Sequence, residues 1–227
     1  MNESKTFIFE SYNYSKTYYD IHEDGITYRP DSDEKFNLAW EDIEYIEDRS
    51  GDRVVICSYD TKEVPISYST IEFPIFLKTI CLQLSRFRKD NFRPQKFTLQ
   101  LQYLFQLSIA VLLLVLSLII SISFSNVLFF SFLTLSIPLV IFFQRQPISL
   151  TVDEDSLIFH HVSKETAIKY NEILSIDFEV SDNDYGRTLC IVINLKNKKK
   201  ITIKKFDDLI VFFIMLQIKL NENIKVC

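Results

Sequence analysis

Glycine is scarce in this chain, because only three of its 227 residues are glycines. Gly25, Gly51 and Gly186 stand far apart, so the chain has no glycine-rich loop that would cradle a phosphate group. The four cysteines form no CxxC pair and have no histidine at a metal-ligand spacing. No serine or cysteine stands with a histidine in a recognisable nucleophile motif. The sequence therefore predicts no catalytic residue, no cofactor site and no metal site, and it argues against an enzyme.

Net positive charge is also absent. The chain has 25 lysine and arginine residues against 30 aspartate and glutamate residues, which gives a formal net charge of -5. A nucleic acid partner calls for a basic surface that neutralises phosphates, so no nucleic acid partner is expected. Hydrophobic residues make up 48% of the chain, which is ample for a buried core.

Charge of either sign is missing from residues 97–144. As a helix at about 1.5 Å per residue, this run would extend roughly 70 Å, against a bilayer core of about 30 Å. One crossing cannot use that length, whereas two can. The run therefore predicts a transmembrane hairpin with helices at about 101–122 and 126–143 and a short polar turn at 121–126.

Basic residues flank the uncharged run on both sides and are absent from its turn. Those before it and after it are Arg86, Arg88, Lys89, Arg93, Lys96 and Arg145. The positive-inside rule then predicts that both flanks, and both termini, lie in the cytosol. The N-terminal residues do not resemble a signal peptide, in agreement with this topology.

The two flanks of the run resemble each other. Residues 21–28 (IHEDGITY) match 152–159 (VDEDSLIF) at an offset of 131, and 38–46 (LAWEDIEYI) match 168–176 (IKYNEILSI) at 130. At an offset of 136, a helical stripe at 73–84 matches one at 209–220. The earlier segments are short, rich in β-branched and aromatic residues, and bounded by turn residues, as strands are. One module, several strands followed by a helix, is therefore predicted twice.

The predicted fold is an α+β membrane protein with two small sheet or barrel modules. The first module is predicted at 1–92, the hairpin within 97–144, and the second module at 146–227. In each module an aromatic residue and an isoleucine are expected to anchor a strand against the terminal helix. These structural residues are Trp40 and Ile43 in the first module, and Tyr170 and Ile173 in the second.

The order of these motifs resembles that of bacterial pleckstrin-homology-like domains, including the YcxB-like group of small membrane proteins. The resemblance is carried by I-x-E-D-G-I at 21–26, W-x-D-I at 40–43, the Val64-Pro65 pair and the following helix. The second module departs from the pattern, with Tyr170 in place of Trp40. The resemblance implies a pleckstrin-homology-like fold and a place in the bacterial cytoplasmic membrane, and it implies no particular ligand.

One cluster of lysines stands out near the end of the chain. Its members are Lys196, Lys198, Lys199, Lys200, Lys204 and Lys205. The first interpretation is a solvated hairpin tip that discourages aggregation at a sheet edge. The second is contact with an anionic lipid surface, to which each lysine would contribute about 1 kcal/mol.

Two functions from different classes stay open. The preferred one is a non-enzymatic, membrane-anchored protein that displays two cytosolic modules for a protein partner or for self-association. The alternative is a membrane effector or sensor whose hairpin rearranges when a ligand or partner binds. The expected partners are therefore the lipid bilayer and either another protein or a second copy of the chain.

Overall fold

The computed structural model describes most of the chain outside the uncharged run. The described residues are 5–10, 16–30, 35–49, 53–67, 72–87, 95–99, 105, 108, 111–112, 115, 119, 147–183, 186–204 and 206–224. Everything that follows concerns these residues.

The first half of the chain forms seven strands and a helix. The elements are β1 (Lys5–Glu10), β2 (Lys16–Ile21), β3 (Gly25–Arg29), β4 (Phe36–Ala39), β5 (Ile43–Arg49), β6 (Arg53–Ser58), β7 (Glu63–Ser67) and α1 (Phe73–Phe87). Strands β1 to β4 form one antiparallel sheet in chain order, and β5 to β7 form a second one. A single 3₁₀ turn at Trp40–Asp42 joins the two sheets.

The second half repeats this order. Its elements are β8 (Gln95–Thr98), β9 (Pro147–Val152), β10 (Ser156–His161), β11 (Glu165–Lys169), β12 (Ile173–Asn183), β13 (Gly186–Leu195), β14 (Lys200–Lys204) and α2 (Leu209–Ile224). Strands β8 to β11 form a third antiparallel sheet, and β12 to β14 form a fourth. A 3₁₀ turn at Tyr170–Glu172 joins β11 to β12, as Trp40–Asp42 joins β4 to β5.

Backbone hydrogen bonds recur at equivalent positions of the two halves. The amide of His22 donates to the carbonyl of Gly25, as Asp153 does to Ser156. The amide of Ser58 donates to the carbonyl of Lys62, as Leu195 does to Lys199. The amide of Tyr59 donates to the carbonyl of Asp42, as Lys196 does to Glu172. A β-bulge lies between Ile43 and Tyr45, and another lies between Ile173 and Ser175. We call residues 5–87 the first repeat and residues 95–224 the second repeat.

Alternating and helical patterns explain which side chains are buried. In β7, Val64 and Ile66 are buried while their neighbours are exposed, as expected for a strand with one face on the core. In α1 the predicted stripe is buried, and it comprises Phe73, Phe76, Leu77, Ile80 and Leu84. Burial of one such side chain contributes about 1.5–3 kcal/mol relative to its exposure, so this stripe holds α1 on its sheet.

The described residues form two compact units. One unit contains 1–93, 170–204 and 208–227, and the other contains 94–169 and 205–207. The predicted boundaries at 1–92 and 146–227 describe the repeat in the sequence rather than this grouping, and they stay a prediction.

Inside the first unit the two repeats pack reciprocally. Helix α1 contacts β12, helix α2 contacts β5, and the two helices contact each other. Because β5 and β12 are equivalent strands, this exchange has the form of a pseudo-twofold interface. An ion pair between Lys78 on α1 and Asp177 on β12 joins the two repeats on one side.

No helix formed by the described residues is long and apolar enough to cross a membrane. This finding overturns the prediction of a transmembrane hairpin, and with it the α+β membrane fold, the integral membrane localisation and the membrane-anchored functions. The physical reason is that a span needs about 20 consecutive apolar helical residues. In the predicted hairpin only residues 105, 108, 111–112, 115 and 119 are described, and they are helical. The rest of 101–143 lies outside the described residues.

Candidate functional site

A cleft opens in the first repeat beside the turn that joins β2 to β3. Its volume is about 660 Å³, which lies within the range of small-molecule and peptide-side-chain sites. Its lining residues are His22, Glu23, Asp24, Gly25, Ile26, Thr27, Lys35, Asn37, Leu38, Ala39 and Glu41. We call it the first-repeat cleft.

Trp40 fixes the backbone of the β2–β3 turn. Its indole Nε1 donates a hydrogen bond of 3.1 Å to the carbonyl oxygen of His22. Its backbone amide donates a bond of 3.1 Å to the carbonyl oxygen of Asp24. The side chain is fully buried, so the packed core of the repeat holds the turn that forms one wall of the cleft. The structural role expected of Trp40 stays a prediction.

Gly25 allows strand β4 to approach the same turn closely. A Cβ atom at this position would lie 2.3 Å from the carbonyl oxygen of Leu38 and 3.0 Å from Cα of Ala39. Any side chain here would push β4 away, since both contacts are with backbone atoms. The close pairing of Gly25 with Ala39 therefore depends on the absence of a side chain.

Three polar side chains in the cleft form a hydrogen-bonded network. The Thr27 hydroxyl donates to Oδ1 of Asn37 at 2.8 Å, and Nε2 of His22 lies 3.2 Å from the same hydroxyl oxygen. The Thr27 hydroxyl has a single proton, which it donates to Asn37. In its bond with His22 the hydroxyl oxygen is therefore the acceptor, and Nε2 of His22 is the protonated donor. Thr27 is buried, so the network holds a hydroxyl that would otherwise be costly to bury. We call these three residues the polar network.

Acidic residues dominate the charge around the cleft. Glu23, Asp24 and Glu41 contribute three carboxylates, all from residues exposed to solvent, while Lys35 contributes one ammonium group. We call the three carboxylates the acidic rim. An opening of this composition favours a cationic group over an anionic one. The polar network supplies further hydrogen-bonding groups in the same cleft.

The second repeat lacks the polar network although its strands pair in the equivalent register. Thr27 pairs with Asn37 across β3 and β4, and the equivalent pair across β10 and β11 is Ile158 with Ala167. The same pairing is therefore stable with two apolar side chains. The acidic turn is kept, since Glu154 occupies the position of Glu23. The polar network is thus a feature of the first repeat that the fold itself does not require.

The lysine cluster lies at the tip of the β13–β14 hairpin. Its turn is fixed by bonds of 2.9 Å from the amide of Leu195 to the carbonyl of Lys199 and from the amide of Lys198 to the carbonyl of Leu195. Lys196, Lys198, Lys199 and Lys200 are all exposed. Of these four, only Lys200 has an ion pair with a described residue, namely Glu179 at 2.8 Å. We call these four residues the lysine tip.

The remaining lysines of the cluster are separate from this tip. Lys204 is exposed at the far end of β14, and Lys205 lies outside the described residues. Contact of the cluster with lipid stays a prediction.

A third arrangement places a threonine, a histidine and a glutamate in a row on the third sheet. Nε2 of His160 lies 2.9 Å from the Thr151 hydroxyl, and Nδ1 lies 2.8 Å from Oε1 of Glu165. This order resembles a nucleophile, a base and an orienting acid. The Glu165 side chain is 69% exposed, however, whereas the orienting acid of such a triad is buried. The row is therefore best explained as cross-strand bonding among β9, β10 and β11.

The four residues predicted to be structural are all buried. They are Trp40, Ile43, Tyr170 and Ile173. The polar network was missed from sequence, although the offset contains the signal. With sequence offsets of 131 and 130, Thr27 aligns with Ile158 and Asn37 aligns with Ala167. The first repeat therefore has a polar pair at two positions where the second repeat has an apolar pair.

The chain matches no protein-family profile and no curated protein.

Proposed function

We propose that this chain is a non-catalytic interaction protein whose first repeat binds a positively charged segment of a protein partner. The observation that supports this most is the polar network in the same cleft as the acidic rim, where the second repeat has Ile158 and Ala167 in place of Thr27 and Asn37. Thr27 is buried and bonded to half-buried His22 and exposed Asn37, at a register position where the second repeat has an apolar pair, so these polar groups are available to a ligand at the cleft surface.

The chemistry of the cleft indicates the ligand class. A lysine or arginine side chain would enter between the carboxylates of Glu23 and Glu41, and its neighbouring peptide groups would meet His22 and Asn37. The Thr27 hydroxyl and Oδ1 of Asn37 are already engaged. The Asn37 amide NH₂ group and Nδ1 of His22 therefore supply the remaining hydrogen-bonding capacity. Hydrogen bonds to charged groups contribute about 1.5–3 kcal/mol each, enough for a weak but selective complex.

The pleckstrin-homology-like resemblance is part of the same proposal. The order of a four-stranded sheet, a three-stranded sheet and a C-terminal helix supports that assignment for the first repeat, in which β1 to β7 precede α1. Domains of this kind commonly serve as binding modules, and the proposed role is likewise non-catalytic.

Calorimetric titration with a lysine-rich peptide and a glutamate-rich peptide of equal length tests this function. The lysine-rich peptide is expected to bind, more weakly in high salt, and the glutamate-rich peptide is not. Replacing Glu23→Gln and Glu41→Gln is expected to lower the affinity about tenfold, which corresponds to about 1.4 kcal/mol. The matched change Glu154→Gln in the second repeat is expected to leave it unchanged. Equal binding of both peptides, or equal loss in the control, contradicts the proposal.

A further inference from the structure

The lysine tip has a counterpart in the first repeat that carries little charge. The equivalent turn of the β6–β7 hairpin contains Tyr59, Asp60, Thr61 and Lys62. Both turns have the same backbone bonds, and both place a non-glycine residue at positive φ, Thr61 at 64° and Lys198 at 66°. The turn therefore forms without clustered lysines, and the positive charge of the lysine tip is not needed for the fold.

Hydrogen bonds define the conformation of the tip, and most of its charges have no ion-pair partner among the described residues. The amide of Lys196 donates to the carbonyl of Glu172 at 2.9 Å, and the amide of Lys199 donates to Oδ1 of Asn197 at 3.0 Å. Within the part of the chain that the structure describes, Lys196, Lys198 and Lys199 have no ion-pair partner. A preorganised turn with three free ammonium groups loses little backbone entropy on binding, which is the condition for affinity from a small contact.

The same chain carries an opening of opposite charge. The first-repeat cleft is rimmed by Glu23, Asp24 and Glu41, and no residue of the lysine tip is among its lining residues. The lysine tip therefore does not occupy the first-repeat cleft of its own chain. A second copy can place its tip there, so that ammonium groups meet carboxylates and the turn's peptide groups reach the polar network.

We infer that the lysine tip of one chain docks in the first-repeat cleft of a second copy, so that the chain associates head to tail. This inference rests on the proposed function, since it names the basic segment that the cleft takes. The two surfaces are different patches of the molecule, so each contact uses the tip of one copy and the cleft of another, and the contacts close as a reciprocal pair or a larger ring or continue as an open chain. The interface is small and electrostatic, so its stability depends on concentration and on salt.

Sedimentation velocity of the full chain tests the inference with two charge-reversed variants. The tip variant is Lys196→Glu with Lys199→Glu, which avoids the strained position of Lys198. The cleft variant is Glu23→Lys with Glu41→Lys. The wild-type chain is expected to sediment faster as its concentration rises in low salt. It is expected to become monomeric near 1 M salt, where the screening length falls to about 3 Å. Each variant alone is expected to be monomeric.

Sedimentation of an equimolar mixture of the two variants is the decisive measurement. The acidic tip of one variant then faces the basic cleft of the other, while the remaining tip and cleft keep their native charges. Association is expected to return to within about tenfold of the wild-type constant. Recovery also shows that both variants are folded. The matched control, Tyr59→Glu with Lys62→Glu at the equivalent turn, is expected to associate like the wild type.

A wild-type chain that stays monomeric at every concentration overturns the inference, and so does a mixture that fails to associate. If the lysine-rich peptide binds the cleft while the chain stays monomeric, the inference fails and the proposed function stands. If neither the peptide nor a second copy binds, both fail. Binding of the monomeric wild type to anionic vesicles, lost in the tip variant, assigns the tip to lipid contact and also overturns the inference.

Discussion

Nε1 of Trp40 donates a hydrogen bond of 3.1 Å to the carbonyl oxygen of His22. This bond joins a fully buried aromatic side chain of the first repeat to the first residue of the cleft. The second repeat has Tyr170 at the equivalent position, and Tyr170 has no indole nitrogen. The single tryptophan of the chain therefore both fills the core and positions the cleft wall.

Replacing Trp40 separates these two roles. Trp40→Ala removes a large buried side chain and is expected to lower the free energy of unfolding by about 3–5 kcal/mol. Trp40→Phe keeps most of the apolar volume but leaves the His22 carbonyl unpaired, so a loss of about 1–3 kcal/mol is expected. Urea unfolding of the full chain measures both values. A stability within about 0.5 kcal/mol of the wild type for Trp40→Ala, as at an exposed position, contradicts the account.

Gly25 and Ser156 provide a matched test of the close approach between β3 and β4. Gly25→Ala places a Cβ atom against the Leu38 carbonyl and is expected to cost about 1–3 kcal/mol or more, because backbone must move. Ser156 occupies the equivalent position in the second repeat and already carries a Cβ atom. Ser156→Ala is therefore expected to cost no more than about 1 kcal/mol. Equal costs in urea unfolding indicate that the two turns do not differ in this way.

The polar network is expected to show strong coupling between Thr27 and Asn37. Thr27→Ile alone removes the bonds to His22 and Asn37, which water can partly replace because Asn37 is exposed, so a cost of about 0.5–1.5 kcal/mol is expected. The double change Thr27→Ile with Asn37→Ala copies the second repeat and is expected to cost less than the sum of the single changes, with a coupling energy of about 0.5–3 kcal/mol. A double-mutant cycle in urea measures this energy. Strict additivity shows that the two side chains do not act together.

Cys81 gives the fold a dependence on alkaline pH. Its thiol is fully buried, and burial raises the pKa of the thiol well above its ordinary value. The unfolded chain ionises this thiol above about pH 8.5 while the folded chain keeps it protonated, so stability falls as the pH rises beyond that value. Cys81→Ala is expected to lose less stability between pH 8 and pH 10, with a difference in slope of up to about 1.4 kcal/mol per pH unit.

Urea midpoints of the two proteins, measured across the same pH range, check the Cys81 prediction. Thiol labelling supplies an independent readout, because Cys81 is expected to react only after unfolding. Parallel pH profiles for the two proteins contradict the assignment.

The repeat and its elements were accessible from sequence because they depend on local spacing. The stripe from Phe73 to Leu84 has helical intervals, and α1 buries all five of its apolar members. The turn residues around Gly25 and Ser156 mark the ends of strands in both repeats. Such patterns act over a few residues, so neither an alignment nor a long-range contact was needed to find them.

The hairpin prediction was wrong for a different reason. Hydropathy measures how strongly a segment avoids water, and it does not specify what covers the segment. In the flanks, apolar residues recur with the period of a helix or of a strand, and this period carries direct information about structure. The run 97–144 has no such alternation of polar and apolar residues.

The first-repeat cleft was missed because a threonine within a strand carries no distinctive pattern. Thr27 and Asn37 lie ten residues apart and come together only through the register of β3 with β4. Cross-strand register is set by tertiary packing, which the sequence period does not determine. The reciprocal contacts of α1 with β12 and of α2 with β5 were inaccessible for the same reason.

Mapping of amide chemical shifts during titration of the full chain with a lysine-rich peptide tests the central claim most directly. The account predicts that resonances of residues 22–27 and 35–41 move in proportion to bound peptide, while the equivalent residues 153–158 and 165–171 stay in place. Movement confined to the second repeat, equal movement in both repeats, or no movement at all would contradict a ligand cleft that belongs to the first repeat alone.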